Sequence, residues 1–451
     1  MYDTVIVGGG LSGLTLAYEL KKLSKSVCLV ESESLGGKVA TGMLEGKVVE
    51  EGPEEIVSSR DFLQFVKELG LIDQVVRPKK LRFALLRNEK LYTVPEGIAG
   101  GVLKVNFDLF RSVVSGLFSF RTLIRMMLEP FYKLNVNDDI SVKDLFSKIY
   151  GRSFVDEFFK PIAGGIYGGD IGLMSSSVYF PYIIDIKKKG KSVIESFLRK
   201  KINFDLISFR NGLGSLITKL VEKLKGVDII IGKTVTSVSN EGDRFLVNAG
   251  SEKLESRTVS VMVSPYTAPV FKNMNGYIVK KARLYVKASR VAVINAVYDK
   301  KFESYNKYSG ILTYPEIYSV SGVTFFDSKW PINSDSELYI IKYFIPFENY
   351  IKEAKAMKVV EKFSKEHFHI EKPVSYRVRI WNEALPVYVV GANMLKQEAE
   401  AYMEKGIYFG GSFINSTGIY SSIMRSKNIA KRLVSYLETN THAGSEPRGS
   451  L

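Results

Sequence analysis

Three glycines near the start of the chain, Gly8, Gly10 and Gly13, satisfy the spacing G-x-G-x-x-G. That spacing permits a tight turn, close backbone approach to a pyrophosphate, and close packing of a helix on a strand. A helix beginning near Leu11, with Ser12 in its first turn, would aim its positive end at the phosphates. Glu31, followed by Ser32, stands where a second strand should end and can accept hydrogen bonds from both ribose hydroxyls. An acidic residue there disfavours a 2′-phosphate; its plainer reading is an exposed carboxylate at a strand end. A few residues on, Leu35-Gly36-Gly37-Lys38 offers a second close backbone approach. His367, His369, His442 and Cys28 show no spacing suited to a metal site or a hydrolytic triad, so the expected chemistry is cofactor-borne.

These residues need a strand, a turn, a helix and a second strand to hold them. Thr4 to Val7 is a short buried-strand run, Leu14 to Leu23 has helical spacing, and Val27 to Val30 is a second apolar run, together a βαβ unit. A further strand and helix over Tyr408 to Tyr436 resemble the first unit and point to a domain assembled from separated segments. At 451 residues two or three compact units are expected. Hydrophobic residues at 45% and charged residues at 25% exclude disorder, collagen-like repeats and coiled coils. With 63 basic and 48 acidic residues the net charge is +15, which attracts nucleic acid, anionic lipid or acidic ligands without choosing among them. A lone cysteine requires no oxidising compartment, no leader precedes the first strand, and the uncharged stretch Gly406 to Met424 is too rich in Gly, Ser, Asn and Thr for a transmembrane helix. The cytoplasm is the expected location. Between Val102 and Tyr132 apolar residues at helical spacing are interleaved with Arg111, Arg121 and Arg125, which reads either as a surface dipping into one membrane leaflet or as a buried helical unit with solvated cations.

The acidic residue followed by Leu35-Gly36-Gly37-Lys38 resembles the flavin-containing amine oxidases, and that resemblance implies FAD. Within them, Glu50-Glu51-Gly52-Pro53-Glu54, the helix end Glu68-Leu69-Gly70-Leu71, Leu91 to Gly97, Pro161 to Asp170 and Tyr408 to Phe413 look like the oxygen-dependent, FAD-containing protoporphyrinogen oxidases. Asn415 and Tyr420-Ser421 depart from that pattern. The resemblance covers nearly the whole chain and implies an α/β (α+β overall) fold: a Rossmann-like FAD-binding domain (1–80, 205–270 and 385–438), a mixed-sheet substrate domain (81–100 and 271–384) and a small helical, membrane-contact subdomain (101–204), with a disordered tail (439–451). It implies cofactor contacts at Gly8, Gly10, Leu11, Ser12, Gly13, Glu31, Ser32, Gly36, Gly37, Lys38, Gly52, Pro53, Glu54, Val235, Gly411, Ser412, Gly418 and Ile419. For the substrate it implies Arg82 against a propionate, Gly165 where a tetrapyrrole approaches the backbone, and Ile311 and Tyr343 as apolar walls. The implied activity is oxidation of protoporphyrinogen or coproporphyrinogen, with oxygen or a quinone as acceptor, peripheral membrane contact, no nucleic-acid partner, and the question of a homodimer open. An amine oxidase, a carotenoid desaturase and a basic binding protein on the same scaffold are the alternatives.

Overall fold

The computed structural model describes residues 1–79, 82–95, 111–112, 114–131, 139–199, 205–299, 305–333, 337–370, 372–414 and 418–442. The apolar run at the N-terminus forms strand β1 (Tyr2–Val7), the glycine turn leads into helix α1 (Leu11–Lys22), and β2 (Val27–Glu31) returns parallel to β1 with Val5 opposite Cys28 and Val7 opposite Val30. Val5, Ile6, Cys28 and Leu29 are wholly buried, as strands covered on both faces require. β2 also pairs in parallel with Asp228–Ile231, and β1 with Glu252–Val261, which pairs in turn with Ile407–Phe409. One eight-stranded sheet thus gathers strands from the beginning, middle and end of the chain. α1 packs against the C-terminal helix Ile419–His442, burying Leu14, Leu16, Ala17 and Leu20 against Leu433 and Leu437.

A second, seven-stranded sheet orders Ser375–Trp381, Val291–Tyr298, Tyr339–Pro346, Gly322–Phe325, Tyr308–Leu312, Arg82–Arg87 and Lys90–Thr93. All its pairings are antiparallel except that of Arg82–Arg87 with Tyr308–Leu312. Helix Glu353–Phe368 covers one face, where Met357, Val360 and Phe363 pack on Ile294, Ile341 and Tyr343. The other face looks toward the first domain and the helices.

The third part is helical and includes Phe120–Met127, Val142–Tyr150, Lys160–Tyr167 and Pro181–Lys188. Its core is aromatic: Phe118, Phe146, Phe154, Phe158, Phe159 and Phe180 lie within ring-contact distance of one another. The chain is therefore the mixed α/β protein expected. Of the expected amphipathic segment, 102–110, 113 and 132 lie outside the described residues. The expected tail needs correction at its start, because the C-terminal helix continues through Thr439 to His442; the rest of that tail lies outside the described residues. None of the described helices is long and apolar enough to cross a membrane.

Candidate active site

The glycine turn is built by contacts that leave no room for side chains. A Cβ on Gly13 would stand 1.9 Å from the Gly8 carbonyl oxygen, and one on Gly8, whose φ is +104°, 2.6 Å from Val263 Cγ1. These two glycines let helix and strand close on each other. Gly10 differs: a Cβ there would meet nothing nearer than Gly37 Cα at 4.0 Å, so the chain leaves open the space in front of it. Gly10 caps α1 without a side-chain hydrogen bond, and the first turn holds no acidic residue. The donors of Leu11, Ser12 and Gly13 thus form an uncapped helix N-terminus, which suits a phosphate.

The second glycine pair lies on the first. Gly36 forms a parallel bridge with Gly10, and its N–H donates to the Gly9 carbonyl at 2.9 Å. Gly37 takes a φ of +59°, and a Cβ there would stand 3.3 Å from Gly10 Cα. Glu31 ends β2 with Oε2 accepting from Gly9 N–H at 2.6 Å and Oε1 from Glu33 N–H at 2.8 Å and the Ser32 hydroxyl at 3.2 Å. Its carboxylate is fixed at the lip of the turn with one lone pair, on Oε2, left for a hydroxyl donor. Lys233 N–H donates to the Glu31 carbonyl at 3.2 Å, which brings Val235, two residues on, to the same end of the sheet. Val235 itself is a buried strand residue opposite Ala249.

Lys38 extends the cleft toward the C-terminal segment. Its ammonium donates to Ser412 Oγ at 3.4 Å, and burial holds its pKa below the ordinary lysine value, with Glu383 opposing. Gly411, at φ +59°, packs so closely on Met262 that a Cβ would lie 2.6 Å from its carbonyl oxygen. Gly418 precedes the C-terminal helix, Ile419 packs against the apolar cluster that includes Leu11, and the Ser426 hydroxyl donates to the Ser12 carbonyl at 2.9 Å. An open glycine, an uncapped helix end and a part-buried, weakly bonded cation follow one another from Gly10 through Gly37 to Lys38, an arrangement that suits an extended dinucleotide with a polar ring system.

Gly52 joins this groove to the second sheet. A Cβ on Gly52 would stand 2.1 Å from the Lys38 carbonyl oxygen. Its own carbonyl accepts from Lys342 Nζ at 2.7 Å. Lys342 belongs to a cross-strand row, Arg377, Asn295, Lys342 and Thr324, set opposite one another on neighbouring strands. Arg377 pairs with Glu51 at 2.5 Å and Asn295 Nδ2 donates to the Glu50 carbonyl at 3.0 Å. Glu54, carried from sequence as a cofactor contact, is instead buried against Lys329 at 2.6 Å and Lys342 at 3.6 Å. Burial would raise its pKa, but the two lysines and a hydrogen bond from Thr324 hold it below the ordinary value. Its Oε1 is taken by Lys329, and Gly52 is the residue of this loop that abuts Lys38.

The next row along the same face begins at Arg379 on the edge strand and is otherwise largely apolar: Val293, Phe344, Gly322, Leu312, Leu85 and Tyr92 follow in register. Helix Lys160–Tyr167 lies over it, with Gly165 so near that a Cβ would meet Leu312 Cδ2 at 3.0 Å. Phe344 and Leu312 are only partly buried, and Ile166, beside Gly165, is 42% exposed. Gly165 thus lets the helix rest directly on Leu312, and the apolar surface left for a ligand is the part-buried Phe344 and the exposed Ile166 beside that contact, next to the Gly52 loop.

This geometry corrects two expectations. Ile311 and Tyr343 alternate with Leu312 and Phe344 and point to the opposite face. Ile311 is in the core beneath helix Glu353–Phe368, and the Tyr343 hydroxyl is hydrogen-bonded to Ser364 Oγ at 2.7 Å and Tyr298 Oη at 3.1 Å. Both are packing residues. Arg82 begins its strand opposite Tyr308, half-buried, and alternation sets it with Ala84 and Leu86 rather than with Phe83 and Leu85. The sheet does not bring Arg82 to the wall formed by Leu312 and Phe344. Sequence reasoning missed Lys342 and Lys329, whose signal was a lysine inside an otherwise apolar strand and a lysine beside a tryptophan.

The sequence profile of the flavin containing amine oxidoreductases matches residues 11–434. The chain is 23% identical to a coproporphyrinogen III oxidase of Bacillus subtilis (strain 168), over 96% of this chain and 98% of the relative. It is 24% identical to a protoporphyrinogen oxidase of Dictyostelium discoideum, over 95% and 98%. A crystal structure of a provisionally named protoporphyrinogen oxidase from Exiguobacterium sp. 255-15 superposes with a TM-score of 0.80 at 21% identity, covering 96% of this chain and 98% of that one. The structural likeness establishes the fold.

Proposed function

This chain belongs to the flavin containing amine oxidoreductases, and on that premise we propose that it oxidises a porphyrinogen to a porphyrin, a step of haem biosynthesis, with FAD as its cofactor. The observation that carries the substrate class is the part-buried apolar surface of Phe344 and Leu312, bordered by the exposed Ile166 and adjoining the Gly52 loop. A flat tetrapyrrole needs an apolar wall to lie on, and these side chains offer one. The full-length match to relatives named for protoporphyrinogen and coproporphyrinogen supports the same class.

When bound, FAD accepts the hydride and so carries the redox chemistry. The protein's own groups bind and orient. The α1 N-terminus with Gly10 and Gly37 receives the pyrophosphate, Glu31 the ribose, and Lys38 with Ser412 the polar edge of the ring. The sheet and helix Lys160–Tyr167 hold the substrate and exclude water. Helix Phe120–Met127 and the turn Glu129–Phe131 after it supply the membrane contact: Phe120 is 68% exposed, Met127 59% and Phe131 81%, with Arg121 beside Phe120. Apolar side chains interleaved with cations suit an anionic leaflet.

The test is anaerobic. Purified protein should be yellow, and a porphyrinogen should bleach the flavin by two electrons; porphyrin fluorescence, which needs three such oxidations, should rise once an acceptor is admitted and the flavin cycles. Protoporphyrinogen and coproporphyrinogen, run side by side, separate the two substrates, and readmission of oxygen or addition of a quinone identifies the acceptor. Colourless protein that cannot be reconstituted with FAD would sink the proposal.

A further inference from the structure

Lys342 stands at the middle of the polar row, on a central strand, with a relative exposure of 0%. Its ammonium donates to the Gly52 carbonyl at 2.7 Å and lies 3.6 Å from Glu54 Oε2. Burial lowers its pKa, opposed by Glu54 and Glu50. An ammonium has three donors, of which the Gly52 carbonyl takes one. Around it, among the described residues, Glu54 Oε2 and Asn295 Oδ1 are buried without a hydrogen-bond partner. The strand would be held as well by an apolar residue, since a buried ion pair is seldom the cheaper way to hold a sheet together.

What an apolar residue could not do is grip a carbonyl. Gly52 hangs from Lys342 by that carbonyl, and its Cα side rests on the Lys38 carbonyl so closely that no Cβ fits. Lys38 in turn reaches Ser412. A chain of direct contacts therefore runs from the centre of the second sheet through the Gly52 loop to Lys38, the part-buried cation on the cofactor side. The apolar row that receives the substrate is the next row of the same sheet.

We propose that Lys342 is a positioning residue: through the Gly52 carbonyl and Glu54 it fixes the cofactor-side loop, and with it Lys38, at a set distance from the sheet face that receives the porphyrinogen. The inference rests on the flavoenzyme reading above. Lys342→Met is close to isosteric and uncharged, and Lys342→Arg keeps the charge and can still donate to the carbonyl. For Lys342→Met the expected result is flavin content within twofold of wild type, KM within twofold, and kcat lowered by about tenfold to a hundredfold, the scale on which small misplacements act. Bound flavin should report the change without turnover: loss of a buried positive charge shifts its two-electron equilibrium with a reference dye about tenfold toward the oxidised form, ~30 mV. Lys342→Arg should recover part of kcat. Should Lys342→Met not fold, the double variant Lys342→Met, Glu54→Gln removes both charges together and should show the same loss of kcat. Wild-type kcat in either protein overturns the inference, as does a raised KM with lost flavin that arginine does not rescue. Wild-type protein that holds no flavin, or leaves porphyrinogen untouched, defeats the functional reading instead.

Discussion

Gly10→Ala separates the cofactor groove from the fold that carries it. Gly10 has φ −70° and ψ 179°, a conformation open to alanine, and its Cβ would find no protein atom nearer than 4.0 Å. The two stability terms nearly cancel: a less flexible unfolded chain contributes about 0.4–1 kcal/mol, and a poorer N-cap costs a similar amount. The unliganded variant should therefore unfold within about 1 kcal/mol of wild type. The same methyl fills the space that a pyrophosphate must enter. Forcing a methyl against a close-packed ligand costs roughly 1–3 kcal/mol, or about ten- to a hundredfold in FAD affinity. Thermal unfolding with and without FAD reads both quantities. For wild type, FAD at one hundred times Kd adds about 2.7 kcal/mol, several degrees in Tm for a domain of ~200 residues. Gly10→Ala should match the wild-type Tm without FAD and, at the same FAD concentration, lose about half the gain for a tenfold weaker affinity and most of it for a hundredfold. Gly13→Ala is the contrast, since its Cβ would lie 1.9 Å from the Gly8 carbonyl oxygen and the apoprotein itself should be destabilised. Wild-type FAD affinity in Gly10→Ala would refute the placement of the pyrophosphate.

Three further outcomes are expected. Leu312→Ala should raise KM for the porphyrinogen with flavin content unchanged, whereas Tyr343→Phe should leave KM alone and cost about 1–2 kcal/mol in urea unfolding through its lost hydrogen bonds; the reverse pattern would restore Tyr343 to the site. Glu50 is wholly buried, and burial pushes its pKa up to about 7 despite bonds from Leu213 N–H and the Thr41 hydroxyl. From its ordinary 4.5 up to about 7 the unfolded chain has lost this proton while the folded protein keeps it, so stability falls as pH rises through that window. The loss approaches roughly 3 kcal/mol above pH 7, and Glu50→Gln should flatten the slope in unfolding curves taken from pH 5 to pH 8. Phe120→Ser with Phe131→Ser should reduce flotation with vesicles containing anionic lipid without altering Tm, because both rings are mostly exposed; undiminished flotation would place the contact elsewhere.

The nucleotide half of the molecule was legible because its chemistry is local. A glycine turn, the helix it opens and an acid at the next strand end lie within the first 31 residues, and each glycine has a steric reason visible in its spacing. The substrate half was not, because its sheet is covered on both faces. In Tyr339–Pro346 the residues Ile340, Ile341, Tyr343 and Ile345 are all buried, so a period of two cannot tell which set faces the helix and which the ligand. Ile311 and Tyr343 were each one residue from Leu312 and Phe344, and in a strand one residue is the opposite face. Lys342 carried the missing information: a lysine inside such a strand must meet an acceptor, and locating that acceptor would have oriented the strand.

The charge buried between the two sheets bears on why this site is built as it is. Glu54, Lys329 and Lys342 are all less than a tenth exposed, and Glu50 lies close by. Removing several ions from water costs more than their mutual attraction returns unless their geometry is excellent, and well-packed apolar residues are often the more stable choice. Simple adhesion between the domains needs no such cluster, because a separate apolar contact of Val49 and Val76 with Val297, Phe326, Trp330 and Ile340 already supplies it. Apolar contacts tolerate sliding, whereas hydrogen bonds to a carbonyl and a carboxylate fix a register. A flavin and a tetrapyrrole carried on different domains need register above adhesion, since hydride transfer falls steeply with misplacement. The cluster should accordingly matter more to turnover than to stability, and replacing it with apolar residues should yield a protein that is no less stable and slower.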